Sequence, residues 1–143
     1  MVKIRAFTGH LGNVKHLQQI LSPPYDVLNS AEAREMAKGN PMSFLHCNKP
    51  EIDLPLDCHP YDQKVYEMGR DNLQHFIKEG LVQKDPEATM YIYQQTMDTP
   101  NGPHTQKALV GLASNKDYEE KRIKKHEYTL APKEDDRTKL INI

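Results

Sequence analysis

Nowhere in this 143-residue sequence do roughly eighteen apolar residues follow one another, and Met1-Val2-Lys3-Ile4-Arg5 has no apolar run behind its charges. Neither a spanning helix nor an export leader is therefore read, and the expected setting is soluble and cytoplasmic. An excess of charge of one sign is also missing. The 19 lysines and arginines face 20 aspartates and glutamates, for a net charge of −1, so the molecule has no overall field to draw in nucleic acid or an anionic membrane. The absence of a long basic stripe disfavours DNA binding in particular. Cysteine is scarce: Cys47 and Cys58 are too few for a disulfide framework and are expected as free thiols in a reducing compartment. No nucleophile elbow, phosphate loop, specific metal signature, internal repeat or low-complexity segment occurs.

What is present is charge and loop. The apolar share of 37% is low against 27% charged residues, and ten prolines with seven glycines agree with a small core and much irregular chain. The length suits one domain, residues 1–143, able to bury a core without staples. Residues 2–7 alternate as a strand and 14–21 have helical spacing ended by Pro23-Pro24. A helix over 30–38 is signalled by Asn29 with Glu32 at capping-box distance and Gly39 as the stop. After Asn40-Pro41, residues 42–46 read as a short strand, and 47–61 as a proline-interrupted surface loop. The longest helical pattern runs over 62–79, with Val65, Tyr66, Leu73, Phe76 and Ile77 on one face and Gly80 behind. Residues 90–97 are rich in β-formers and pair naturally, across the turn cluster 98–103, with 106–114. A helical turn near 117–121 and a further strand over 122–129 complete the reading.

The densest chemistry lies in Arg122-Ile123-Lys124-Lys125-His126-Glu127-Tyr128-Thr129 and in Lys133-Glu134-Asp135-Asp136-Arg137. As a strand, 122–129 would set Lys124, His126 and Tyr128 on one face and Lys125 and Glu127 on the other. A lysine beside an imidazole that titrates near neutrality suits phosphate or carboxylate handling. The alternative is an exposed edge strand made polar to resist strand addition. Residues 133–137 read as a helix start with acids at its positive end, a solvated face, or a place where Asp135 or Asp136 orients His126 or holds a divalent cation. In Pro23-Pro24-Tyr25-Asp26-Val27 two fixed φ angles restrain an aromatic and a carboxylate, either as ligand contacts or as a turn with a tyrosine plug. His46-Cys47 and Cys58-His59 have zinc's donor types, but adjacent side chains of an extended chain point apart and no metal site is expected.

Several stretches resemble a bacterial and archaeal family catalogued as domain of unknown function 1015. They are Val2-Lys3-Ile4-Arg5-Ala6-Phe7, Pro23-Pro24-Tyr25-Asp26-Val27-Leu28, Asn40-Pro41-Met42-Ser43-Phe44-Leu45-His46, Pro50-Glu51-Ile52-Asp53, 122–127 and 133–137. The resemblance implies a distant kinship with ParB and sulfiredoxin-like folds, whose superfamily includes free-serine kinases, and with genes beside serine biosynthesis. It also implies family members about two to three times longer, in keeping with domain sizes, carrying a downstream Asp-Gly-His-His-Arg-Tyr motif. The chain stops at Ile143, before such a motif, so the expectation is an N-terminal portion that is incomplete as a catalyst.

The combined expectation is an α+β domain with a mixed or antiparallel sheet, built from 2–7, 90–97, 106–114 and 122–129 and covered by helices at 30–38 and 62–79. Its expected function is binding of a phosphorylated metabolite or nucleotide, with magnesium as an option. Lys124, Lys125 and Arg137 would hold phosphate, His126 and Glu127 would move or orient protons, and Tyr25 and Asp26 would contact substrate. The alternative is a non-catalytic interaction module, homodimeric through 122–137. Neither nucleic acid nor membrane is an expected partner.

Overall fold

A computed structural model of the chain describes residues 1–124 and 128–143. In chain order the elements are β1 (Ile4–Arg5), β2 (His10–Gly12), α1 (Leu17–Ile20), α2 (Ser30–Ala37), α3 (Leu45–Asn48), α4 (Gln63–Lys78), β3 (Val82–Lys84), β4 (Tyr91–Thr99), β5 (Gly102–Val110), β6 (Leu112–Ala113), α5 (Asn115–Glu119) and α6 (Ala131–Asn142). Turns of 3-10 helix occupy Val14–His16 and Pro50–Asp53. The fold is α+β. Its chain divides into two compact units, Met1–His10 with Lys84–Tyr128, and Leu11–Gln83 with Thr129–Ile143.

The second, helical unit contains the apolar core. The capping box forms as its spacing requires: Asn29 Oδ1 accepts from the backbone N–H of Ala31 and Glu32, and the Glu32 carboxylate accepts from Asn29 N at 2.8 Å. Helix α2 then buries Ala33 and Ala37 against Leu45 and Ile52. Helix α4, two residues shorter than expected, buries Val65, Tyr66, Gly69 and Phe76, while Leu73 and Ile77 stay exposed. Phe76, 1% exposed, joins Ile20, Cys47, Leu81 and Val82 in a second cluster and meets Phe44 edge to face.

Residues 42–46 are not a strand. Asn40 takes the local backbone donors, its carbonyl from Ser43 N and its Oδ1 from Met42 N, and the chain turns directly into α3. Downstream, Arg34 of α2 donates to the carbonyls of Glu51, Ile52 and Leu54, which pins the 50–53 turn against the helix. Within the segment expected as plain loop, the 50–53 turn is thus held by the Arg34 guanidinium, by Ser30 donating to Glu51 and by the burial of Ile52. Helix α6 carries Pro132 in its first turn, where a missing N–H costs nothing.

In the first, ribbon unit, β4 and β5 pair antiparallel from Tyr91↔Val110 to Thr99↔Gly102. The ladder runs past the expected strand ends and leaves Pro100 and Asn101 at the tip, with Gly102 at φ +103°. The expected strand 106–114 is interrupted at Gly111, where a Cβ would lie 2.9 Å from Ile4 Cγ2 and 3.2 Å from Arg5 O. Beyond that close approach β6 pairs with β1.

One continuous sheet does not form. The strands make three two-stranded ladders, β1 with β6, β2 with β3, and β4 with β5. The residues of the β4–β5 ribbon are exposed or at most half-buried. The expected strand over 122–129 is also corrected: among its described residues none lies in a strand. The backbone N–H groups of Arg122 and Ile123 instead close α5 by donating to the Asp117 carbonyl, after Lys121 has turned to φ +57°.

Candidate functional site

The helical unit holds a cleft of about 230 Å³ where α6, the Tyr25 turn, the start of α4 and the 50–53 turn face one another. Tyr25 and Asp26 reach it from the Pro23-Pro24 restraint, tightened by Val27 N donating to the Pro24 carbonyl. Arg137 reaches it from α6, whose half-buried stripe is Asp136, Arg137 and Leu140.

The guanidinium of Arg137 lies 4.1 Å from the centroid of the Tyr25 ring, a cation–π contact. Its Nε and Nη2 donate to the Asp136 carboxylate and its Nη1 to the Asn48 carbonyl at 3.2 Å. Guanidinium has five N–H donors, so two remain for a ligand. Asp136 is held from its other side by the Tyr66 hydroxyl, which donates at 3.0 Å. Burial, followed by this donation to a carboxylate, pushes the Tyr66 phenol up to about 12. Tyr66 is a fixed donor and not a base at neutral pH.

On the other wall Lys49 Nζ pairs with Glu51 at 3.0 Å, and the Ser30 hydroxyl donates to the same carboxylate at 2.8 Å. Asn48 Oδ1 is buried with no hydrogen-bond partner among the described residues. Lys133 and Asp26 line the cleft, are exposed, and have no side-chain hydrogen bond or ion pair among the described residues. Six charged residues therefore line the cleft, but four are satisfied internally, which leaves Lys133 and Asp26 without a side-chain partner among the described residues.

The structure thus brings together Tyr25, Asp26 and Arg137. Lys124 is exposed and belongs to the other unit. Lys125, His126 and Glu127 lie outside the described residues. Ser30, Asn48, Lys49, Tyr61 and the positioning role of Tyr66 went unseen in the sequence; the one available signal was the polar pair Asn48-Lys49 directly before Pro50.

His46 is engaged elsewhere: Nδ1 lies 2.8 Å from Asp53, Nε2 lies 3.2 Å from the Asn40 carbonyl, and Asn72 holds Asp53 in place. Cys47 and Cys58 are free thiols, and burial, with the charge of Asp53 second, pushes the Cys47 thiol up to about 12. Among the described residues no group of three or more His, Cys, Asp or Glu side chains gathers as a metal set, and no helix is long and apolar enough to cross a membrane.

Neither a curated protein nor a solved structure matches the chain. The family model described as Protein of unknown function (DUF1015) matches residues 4–143, nearly the whole length, and the chain belongs to that family.

Proposed function

We propose that the cleft binds a small phosphorylated metabolite or nucleotide, as a domain related to free-serine kinases would. The observation that carries the reading is the fixed Arg137 guanidinium, clamped on Tyr25 and Asp136 with two donors to spare, one helical turn along α6 from Lys133, whose side chain has no partner among the described residues. A planar fork held at its edge and face is oriented before a phosphoryl group arrives, which lowers the ordering cost of binding. Asp26 would accept from a ligand hydroxyl or hold a magnesium ion carried by a nucleotide. The proton-transfer roles of His126 and Glu127, and the phosphate contacts of Lys124 and Lys125, remain part of the proposal as a separate element with its own variants.

The test is thermal stabilisation of the whole chain by ATP, ADP, serine, phosphoserine and inorganic phosphate, with and without magnesium. A ligand present at about a hundred times its Kd adds about 2.7 kcal/mol to the folded state. Lys133→Ala is the sharper variant, because it removes a side chain with no described partner. It should leave the unliganded Tm unchanged and weaken the phosphorylated ligand about tenfold or more. Lys125→Ala and His126→Ala in the same scan judge the second element. Stabilisation by no phosphorylated ligand would sink the reading.

A further inference from the structure

Strand β4 is a nine-residue edge, Tyr91-Ile92-Tyr93-Gln94-Gln95-Thr96-Met97-Asp98-Thr99, with one charged residue and no proline, lysine or arginine. Its partner β5 carries Pro103 and Lys107, the residue types that keep sheet edges from pairing. The two edges of the ribbon therefore differ: one is defended and the other is open. A two-stranded ribbon is marginal by itself in water, and this one exposes the cross-strand pair Ile92 and Leu109, at 66% and 55%. Among the described residues of its unit, Asp117 alone is buried.

We propose that β4 pairs antiparallel with β4 of a second copy of this chain, giving a four-stranded sheet across a two-fold axis. Charge and register select this occupant. With Gln95 on the axis, Gln95 faces its own copy, Tyr93 faces Met97, Gln94 faces Thr96, and Ile92 faces Asp98. Tyrosine against methionine is a favourable sulfur–aromatic pair, and Gln94 against Thr96 sets amide beside hydroxyl. The two copies of Asp98 fall at opposite ends of the paired strands, roughly 20 Å apart at strand spacing and beyond the screening length at physiological salt. The edge therefore meets its own copy without like-charge opposition, and its near neutrality gives a strongly charged strand of another protein no purchase. Antiparallel pairing of one strand with itself is isologous, so it closes at two chains.

The experiment is sedimentation of the whole chain over a range of concentrations, with two variants. The parent is expected as a reversible dimer. Gln94→Glu combined with Thr96→Glu, which sets like charges opposite each other on both sides of the axis while the new carboxylate at position 94 faces Lys107 within its own ribbon, is expected to be monomeric at concentrations where the parent is dimeric, with unchanged circular dichroism. In a Cys58→Ser background, Gln95→Cys is expected to form a disulfide-linked dimer under oxidised glutathione, and Thr105→Cys on β5 is not. A parent that is monomeric throughout, a dimer that survives the folded double variant, or cross-linking at Thr105 but not at Gln95 overturns the proposal. If the double variant loses its circular dichroism, the cysteine pair decides.

Discussion

Asp117 is 2% exposed and accepts from Lys3 N at 2.7 Å and from the Arg122 guanidinium. The Lys3 N–H first, and Arg122 next, hold its carboxyl below the usual value of 3.8. A lowered folded value means that the contribution to stability is present above the unfolded value and is lost as pH falls through the folded one. Asp117→Asn should therefore be less stable than the parent at pH 7, with the gap closing below about pH 3.8; melting curves at pH 7 and pH 3 check this, and a constant gap would refute it. The opposite sign holds for Tyr66 and Cys47, whose values are raised from 10.0 and 9.0 to about 12. Their contributions are full below the unfolded values and fade as pH climbs towards 12. Tyr66→Phe removes a hydrogen bond to a charged group and should cost about 1.5–3 kcal/mol in urea unfolding at pH 8, with less loss between pH 10 and 12 than the parent suffers. In the native protein at pH 8 a thiol reagent should label Cys58 quickly and Cys47 only on unfolding; two fast thiols would contradict the packing.

Among the elements, α4 and α6 meet because Gly69 has no side chain. A Cβ there would lie 2.9 Å from Leu140 Cδ1 and 3.0 Å from Pro50 Cγ. Overpacking of this kind costs about 1–3 kcal/mol, whereas replacing a mid-helix glycine by alanine gains about 1 kcal/mol. Gly69→Ala should thus be neutral to about 2 kcal/mol destabilised in urea, and should weaken ligand binding because α6 carries Arg137. A clear stabilisation would show that α6 does not press on α4. Helices α2 and α4 were legible in the sequence because their signals are local: a capping box, an apolar stripe, a glycine stop. Strands were legible as strands at 90–97 but not as members of a sheet. Whether a ladder extends depends on what buries it, and nothing in the residues says that the side chains of the ribbon are exposed or at most half-buried. The three-residue strands β2 and β3 leave almost no periodicity to read. In the cleft, Tyr25, Asp26 and Arg137 stood out through restraint and charge, but Asn48 and Lys49 come to it at the end of α3, next to the 50–53 turn that Arg34 holds from a distant segment.

At the scale of the whole molecule, the apolar clusters lie in the helical unit, so local stability should be uneven. Hydrogen exchange at dilutions where the chain is monomeric should show amides of 91–110 exchanging well before those of 65–76. Equal protection would mean that the ribbon is held by contacts other than its own ladder. The helical unit is also discontinuous in the chain, since residues 84–128 intervene between Gln83 and Thr129. A ribosome adding roughly 5–20 residues per second releases both apolar clusters several seconds before Arg137 and Leu140. During that interval the nascent chain has a core but only one wall of its cleft, with Tyr66 and Tyr25 still lacking the partners that will cover them.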